Sequence, residues 1–327
     1  MTTPRAAAPL LLAAALAACA TPPRAAVPPS AQSPSSPAAP SEAPVEATSL
    51  LGEPLRRPAL DAATRARLEA DLARARAEHD AAPTDAERII WLGRRLGYLG
   101  RHREAVDAFT RGMALHPGDA RLLRHRGHRY ITLRDFARAE ADLERAAELV
   151  RGHPDEVEPD GAPNRFGIPT STLQSNVWYH LGLARYLQGD FAGALDAYRE
   201  AMRVSTNDDM LVATSDWLYM TLRRLGRDAE AARVLEPIRR DMRILENEAY
   251  HRRLLMYRGE LPADSLLAGG ADPLTVATQG YGVGNWYLYN GDRARAMEVF
   301  RRVVAGGNWG AFGYIAAEAE LARERSR

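Results

Sequence analysis

The 327-residue chain contains no lysine, so all 43 of its basic side chains are arginines. That excludes Schiff-base lysines, a phosphate-loop lysine and Ser-Lys dyads. It has one cysteine, Cys19, so an intrachain disulfide, a cysteine-based zinc site and a CxxC redox pair are excluded too. Excess charge of either sign is also missing: the formal net charge is +1. No global field therefore argues for nucleic acid or an acidic membrane surface as partner. There is no H-E-x-x-H and no G-x-S-x-G. His125 and His128 lie three apart, but no carboxylate at helical spacing completes a metal site. Asp208 and Asp209 read as favouring the N-terminus of a helix that begins near Met210. Glu156, Glu158 and Asp160 read as a solvated acidic loop. No catalytic residue, metal ligand or cofactor is assigned, and the chain reads as a non-enzyme.

What is present at the start is MTTPRAAAPLLLAAALAAC. Arg5 makes a short positive region, and the apolar stretch from Ala6 to Leu16 is too short to span a bilayer. Small residues then lead to Cys19, the pattern of an export signal. The run Leu16-Ala17-Ala18-Cys19 resembles the lipobox of bacterial lipoproteins. The resemblance implies a signal peptide over 1–18, cleavage before Cys19, and acylation of that residue. Several acyl chains anchor stably where one is marginal. Ala20, not aspartate, follows, which in that family implies the outer membrane, facing the periplasm, if the host has two membranes. Residues 19–58 are rich in Pro, Ala and Ser and are expected to form an extended, disordered tether.

From residue 59 to 327 the chain repeats itself. Gly93 and Gly127 are thirty-four residues apart, as are Ala105 and Ala139. A further unit begins at Trp178, with Leu181, Gly182, Ala194, Tyr198 and Ala201 in register. These residues resemble the W-x2-L-G-x2-Y, A-x3-F, P pattern of tetratricopeptide repeats. Units are placed near 86–118, 120–150, 175–206, 212–241 and 277–307. The fourth is weak, with Tyr219 where glycine is usual. The glycines 280, 282 and 284 of GYGVGNWYLYNGD suggest a phosphate loop, but no strand precedes them and no lysine follows. Gly284, Tyr287, Gly291, Ala296 and Phe300 instead place them in a fifth repeat, where Gly291 closes the first helix. Gly280 and Gly282 have no explanation at this level.

The resemblance implies an all-α, right-handed superhelix of antiparallel helix pairs, an α-solenoid whose concave side binds partners. Helices over Asp61–His79 and Trp309–Arg323 are expected to cap it. Two insertions interrupt the array, Arg151–Leu173 and about Met242–Thr275. The first ends in Ser171-Thr172-Leu173-Gln174, a capping-box pattern; the second is expected to hold one helix in ENEAYHRRLLMYRG and then a loop. On the face opposite the packing glycines lies a stripe: Arg94, Tyr98, Arg124, His128, Asn176, Tyr179, Tyr186, Asp216, Arg223, Arg224, Tyr281, Asn285 and Tyr289. Most are spaced by four within a helix, so they share a face. Arg and Tyr dominate binding hot spots. The stripe is expected to line an open groove for a protein or peptide with acidic residues or a free carboxylate, and Arg223 and Arg224 are expected to be replaceable without unfolding. The expected function is a membrane-anchored scaffold or adaptor with no nucleic-acid partner. The alternative is a binder of a small molecule or glycan in a pocket closed by the two insertions, with Tyr179, Tyr281 and Tyr289 as stacking platforms.

Overall fold

An Asp, Asn or Thr stands before most of the helical runs, and its side chain accepts a backbone N–H of the first turn at Asp61, Asp85, Asp119, Asp135, Thr172, Asp190, Asn207 and Asp292. A computed structural model describes residues 43–268 and 273–326. The expected signal peptide, Cys19 and most of the expected tether lie outside the described residues. In chain order the described elements are β1 (Val45–Thr48), β2 (Pro54–Arg56), α1 (Ala62–Ala81), α2 (Ala86–Tyr98), α3 (His102–Leu115), α4 (Ala120–Thr132), α5 (Phe136–Val150), α6 (Leu173–Gln188), α7 (Phe191–Arg203), α8 (Asp208–Arg224), α9 (Asp228–Val234), α10 (Glu248–Tyr257), α11 (Ala263–Leu267), α12 (Pro273–Tyr289), α13 (Arg293–Ala305) and α14 (Phe312–Arg325). The five expected units are the hairpins α2–α3, α4–α5, α6–α7, α8–α9 and α12–α13, with α1 and α14 as the flanks.

One packing rule builds four of these hairpins. A glycine on the first helix faces a large side chain sixteen residues later on the second: Gly93 faces Phe109, Gly127 faces Leu143, Gly182 faces Tyr198, and Gly284 faces Phe300. A β-carbon at any of them would lie 2.4, 2.7, 2.7 or 2.6 Å from that side chain, so only glycine admits the contact. The fourth unit departs from the rule and takes a different shape. Tyr219 occupies the glycine position, and α9 ends after seven residues. Tyr219 instead stacks on Tyr257 of α10, ring centroids 4.5 Å apart. The insertion helix thus supplies packing that the short α9 cannot.

The remaining glycines of the fifth unit are also close approaches. At Gly280 a β-carbon would meet Val303 at 2.5 Å. Gly282 clears the way for Arg253, whose Cδ would lie 2.2 Å from such a carbon. Arg253 is fully buried; its Nε donates to Asp216 at 2.8 Å and its Nη1 to the Thr278 carbonyl at 2.5 Å.

Three boundaries differ from expectation. Residues 45–56, expected in the tether, form the β1–β2 hairpin. Ala47, Leu55 and even Glu46 are buried there, because the Glu46 carboxylate accepts Arg57 Nε at 2.6 Å and the Arg103 amide at 3.0 Å. The box that starts α6 is one residue later than the sequence pattern suggests: Thr172 and Ser175 cap each other reciprocally. The second insertion carries two helices rather than one, α10 and the short α11.

The turns of the hairpins share a left-handed residue: Gly100, Gly189, Gly226 and Gly291, but Arg134 in the second unit, at φ 68°. A non-glycine residue there is strained, and its side chain shows what the position gains. Arg134 Nη2 donates to Glu318 of α14 at 2.6 Å and to the Trp309 carbonyl at 2.9 Å. Glu318 is fully buried and also accepts the Leu50 amide from the β-hairpin. Trp309 Nε1 reaches the Arg56 carbonyl at 2.6 Å. The hairpin, the second unit and the C-terminal helix are therefore tied at one carboxylate. Replacing Arg134→Gly relieves about 1 kcal/mol of backbone strain but leaves Glu318 buried without its cation, a loss of about 3–5 kcal/mol. Urea unfolding should show a net loss, partly recovered in Arg134→Gly/Glu318→Gln; a stabilised single variant would show that the pair contributes little.

Candidate binding cavity

The stripe of inner-face residues does not line an open groove. Helix α14 lies across α6 and α12 and fills the space in front of them. Tyr186, Asp216, Tyr281 and Asn285 are all fully buried. The Tyr186 hydroxyl receives Tyr281 at 2.8 Å and Asn285 Nδ2 at 3.0 Å, while Asp216 is the partner of Arg253. Arg224 pairs with Glu320 of α14, donates to Asn285 Oδ1 at 3.2 Å and lies over Phe191. Replacing it would strip the buried Glu320 of one of its two cations, the other being Arg323, so it is not a dispensable groove charge. Arg223 bonds Asn290 at 2.9 Å and covers Tyr289, its guanidinium 4.4 Å from the ring centre. Tyr281 and Tyr289 are thus taken up by the protein itself rather than offered as platforms. Arg94 and Tyr98 sit under the first insertion, against Gly161.

Four of the predicted residues do converge: Arg124, His128, Asn176 and Tyr179 line a cavity of about 300 Å³. Helix α8 contributes Met210, Ala213 and Thr214, and α14 contributes Phe312. Both insertions complete it, with Thr170 and Ser171 from the first and Glu246, Asn247 and Tyr250 from the second. They are joined at the rim, where the Thr170 hydroxyl and Asn164 Nδ2 both donate to Glu246. Asp209 pins the second insertion, accepting the amides of Leu245, Glu246 and Asn247 at 2.9, 3.0 and 2.9 Å. The paired aspartates thus do more than favour a helix start. The first insertion is held by Glu158, which is not a solvated acid. Its carboxylate lies 3.1 Å from Arg124 Nε and accepts Asn176 Nδ2 at 3.0 Å.

The walls are aromatic. His128 packs at a tilt against His180, with ring centroids 4.6 Å apart, and against Phe312 at 5.2 Å. Tyr179 and Tyr250 share a hydroxyl–hydroxyl hydrogen bond of 3.0 Å. His180 Nδ1 donates to the Asn176 carbonyl at 2.6 Å, which leaves Nε2 as an acceptor. Burial, then the Arg124 charge, holds the His180 imidazole down to about 3. Burial, then Arg129, holds His128 well below its ordinary range, and burial, then Arg124, does the same to His125. At neutral pH the three rings are uncharged. His125 and His128 also turn apart, the former stacking on Phe109, so they do not form a metal pair. His180, Tyr250, Phe312 and Glu246 do not stand out in the sequence. Only the adjacency of His180 to Tyr179, and the position of Tyr250 in the insertion helix, hint at two of them.

These imidazoles make stability depend on pH. Their native values lie below the unfolded one, so only the unfolded state takes up protons just below pH 6.5. Stability is complete above that pH and is lost as pH falls toward 3, by at most about 1.4 kcal/mol per unit for each ring. Urea midpoints should drop between pH 7 and 5, and less steeply in His128→Gln. A midpoint constant over that range would mean that the rings titrate normally.

The tetratricopeptide repeat family matches residues 175–208, which span α6 and α7. A stretch of 140 residues is 25% identical to the BBSome complex member BBS4 of Bos taurus, covering 43% of this chain; the chain spans about a quarter (23%) of that curated relative's length. Among solved structures, YrrB, described as a TPR protein with an unusual peptide-binding site, is 16% identical over 71% of this chain and 91% of its own, with a TM-score of 0.41. A tetratricopeptide repeat protein from Parabacteroides merdae is 14% identical over 80% of this chain and 95% of its own, with a TM-score of 0.48. The matched unit sits near the centre of the array, and three further hairpins repeat its glycine-to-large-residue packing, so the helix pairs are those of a fold that resembles tetratricopeptide-repeat proteins.

Proposed function

We propose that the protein is a lipid-anchored binding module of the cell envelope that holds a small ligand, or the end of a peptide, in the cavity between its two insertions. The observation that carries this reading is the convergence of those insertions. Thr170 and Glu246 come from segments far apart in sequence, yet they meet over one cavity floored by α4, α6 and α8. Long ordered loops in a compact array are often functional, and a pocket of this size with aromatic walls and a few placed polar groups suits a small ligand. Arrays of this family act as protein-interaction scaffolds, generally through an open concave face. Here α14 occupies that face, so the cavity is the better-supported site.

Anchoring rests on the lipobox resemblance at Cys19. The protein would be held at the outer membrane, facing the periplasm, in a host with two membranes. A Cys19→Ser variant should leave the membrane fraction for the soluble one; continued sedimentation with membranes would contradict the anchor.

The cavity itself is tested by filling it. Ala213 lines it from α8. An Ala213→Trp variant should keep native helicity while losing whatever ligand native mass spectrometry finds on the wild type. Equal occupancy in both would place the ligand elsewhere.

A further inference from the structure

The charges around the cavity are uneven, and, with the cavity taken as the binding site proposed above, their imbalance points to the chemistry of its ligand. Arg124, which is 8% exposed, lines the cavity, and two further guanidiniums lie behind it within electrostatic reach: Arg129 on the same helix and Arg94 on α2. Burial and then Arg124 bring Arg129 down to about 10, and the Arg94 charge acts in the same direction on both Arg124 and Arg129. The one carboxylate paired with this cluster, Glu158, is on Arg124 and is already shared with His125 and Asn176. Among the described residues neither Arg94 nor Arg129 forms an ion pair. Arg94 lies over Trp91, 4.5 Å from the ring centre, and has a 3.4 Å contact to the Tyr98 hydroxyl. Arg129 has a 3.4 Å contact to His102 Nδ1. The neighbouring imidazoles are neutral and offset nothing. Buried cations without counter-charge are costly, and an anion beside them removes the cost.

The rim has the opposite deficit. Glu246 lines the cavity from its exposed edge, hydrogen-bonded to Thr170 and Asn164, and forms no ion pair among the described residues. A cavity with Arg124, the cavity-lining member of an undercompensated cation cluster, in its wall and a carboxylate without an ion pair at its rim matches a molecule that carries both charges. Tyr179, Tyr250 and Phe312 would cover the apolar part between them.

We infer that the cavity takes a zwitterion, a free amino acid or short peptide, with its carboxylate on Arg124 and its ammonium on Glu246. The α-carboxylate would meet the guanidinium in a charge-assisted bond, and the rim carboxylate would accept from the ammonium.

The test is calorimetry on the full-length chain in detergent. The probes are the free amino acids, glycylglycine and alanyltyrosine, the N-acetylated and C-amidated forms of whichever binds, and a neutral disaccharide. At least one zwitterion should bind, and blocking either end should weaken it tenfold or more. Glu246→Gln, a change at an exposed residue, should weaken the zwitterion similarly and leave the affinity of the N-acetylated form unchanged. Arg124→Gln should weaken both; if that variant unfolds, the Glu246→Gln comparison decides alone. Binding indifferent to end-blocking or to Glu246→Gln would overturn the inference. So would binding of the disaccharide alone, lost in Ala213→Trp, though that result would leave the cavity as the site. No binding by any probe would overturn the zwitterion assignment, and a ligand-free wild type in native mass spectrometry would then remove the cavity reading as well.

Discussion

The placement of the C-terminal helix, and with it the closing of the concave face, depends on one buried carboxylate. Glu318 has no contact with water, so its charge must be answered within the protein, and Arg134 and the Leu50 amide answer it. Those three groups come from the C-terminal helix, the second repeat and the N-terminal hairpin. An ion pair of this kind contributes little net stability when compared with apolar packing, but breaking it is costly. Its consequence is therefore specificity of arrangement: α14 has one place to sit, across the inner helices. Glu320 repeats the device further along the helix with Arg224 and Arg323. The left-handed backbone at Arg134, where the other units use glycine, is the local cost of putting a cation at that spot.

Once α14 is fixed, the inner face changes character. In an open solenoid, Tyr186, Tyr281 and Asn285 would be solvated and free to meet a partner. Behind α14 they become a closed hydrogen-bonded set, Tyr281 and Asn285 both donating to Tyr186. Buried polar groups that satisfy one another specify a single packing. What is left of the inner face is the part near the start of α14, where Phe312 opens the helix and the two insertions arch over α6 and α8. The cavity is the remainder of a filled groove.

The repeat is legible in the sequence because its determinants are local. The spacing of Gly93, Gly127, Gly182 and Gly284 to the large residue sixteen positions later marks each hairpin, and the units fall within a few residues of their expected places. Even the weak fourth unit is marked by Tyr219, although its partner Tyr257 comes from the insertion. The features that escape the sequence are those set by distant segments. Nothing near Asp216 or Tyr186 indicates that Arg253 and α14 will cover them. Glu46 reads as part of a Pro/Ala-rich tether because its partners, Arg57 and Arg103, are supplied by the folded array. The stripe does share one face; what that face meets is not in its spacing. Arg124, His128, Asn176 and Tyr179 reach the cavity only because α14 leaves that stretch uncovered.

The most direct measurement is hydrogen–deuterium exchange of the full-length protein, followed peptide by peptide across residues 312–325. If α14 is an integral filling of the concave face, its amides should exchange as slowly as those of α6 and α12, with no ligand or partner added. Fast exchange over α14, together with loss of protection on the Tyr186 and Asn285 faces, would show an open groove and return the binding site to it.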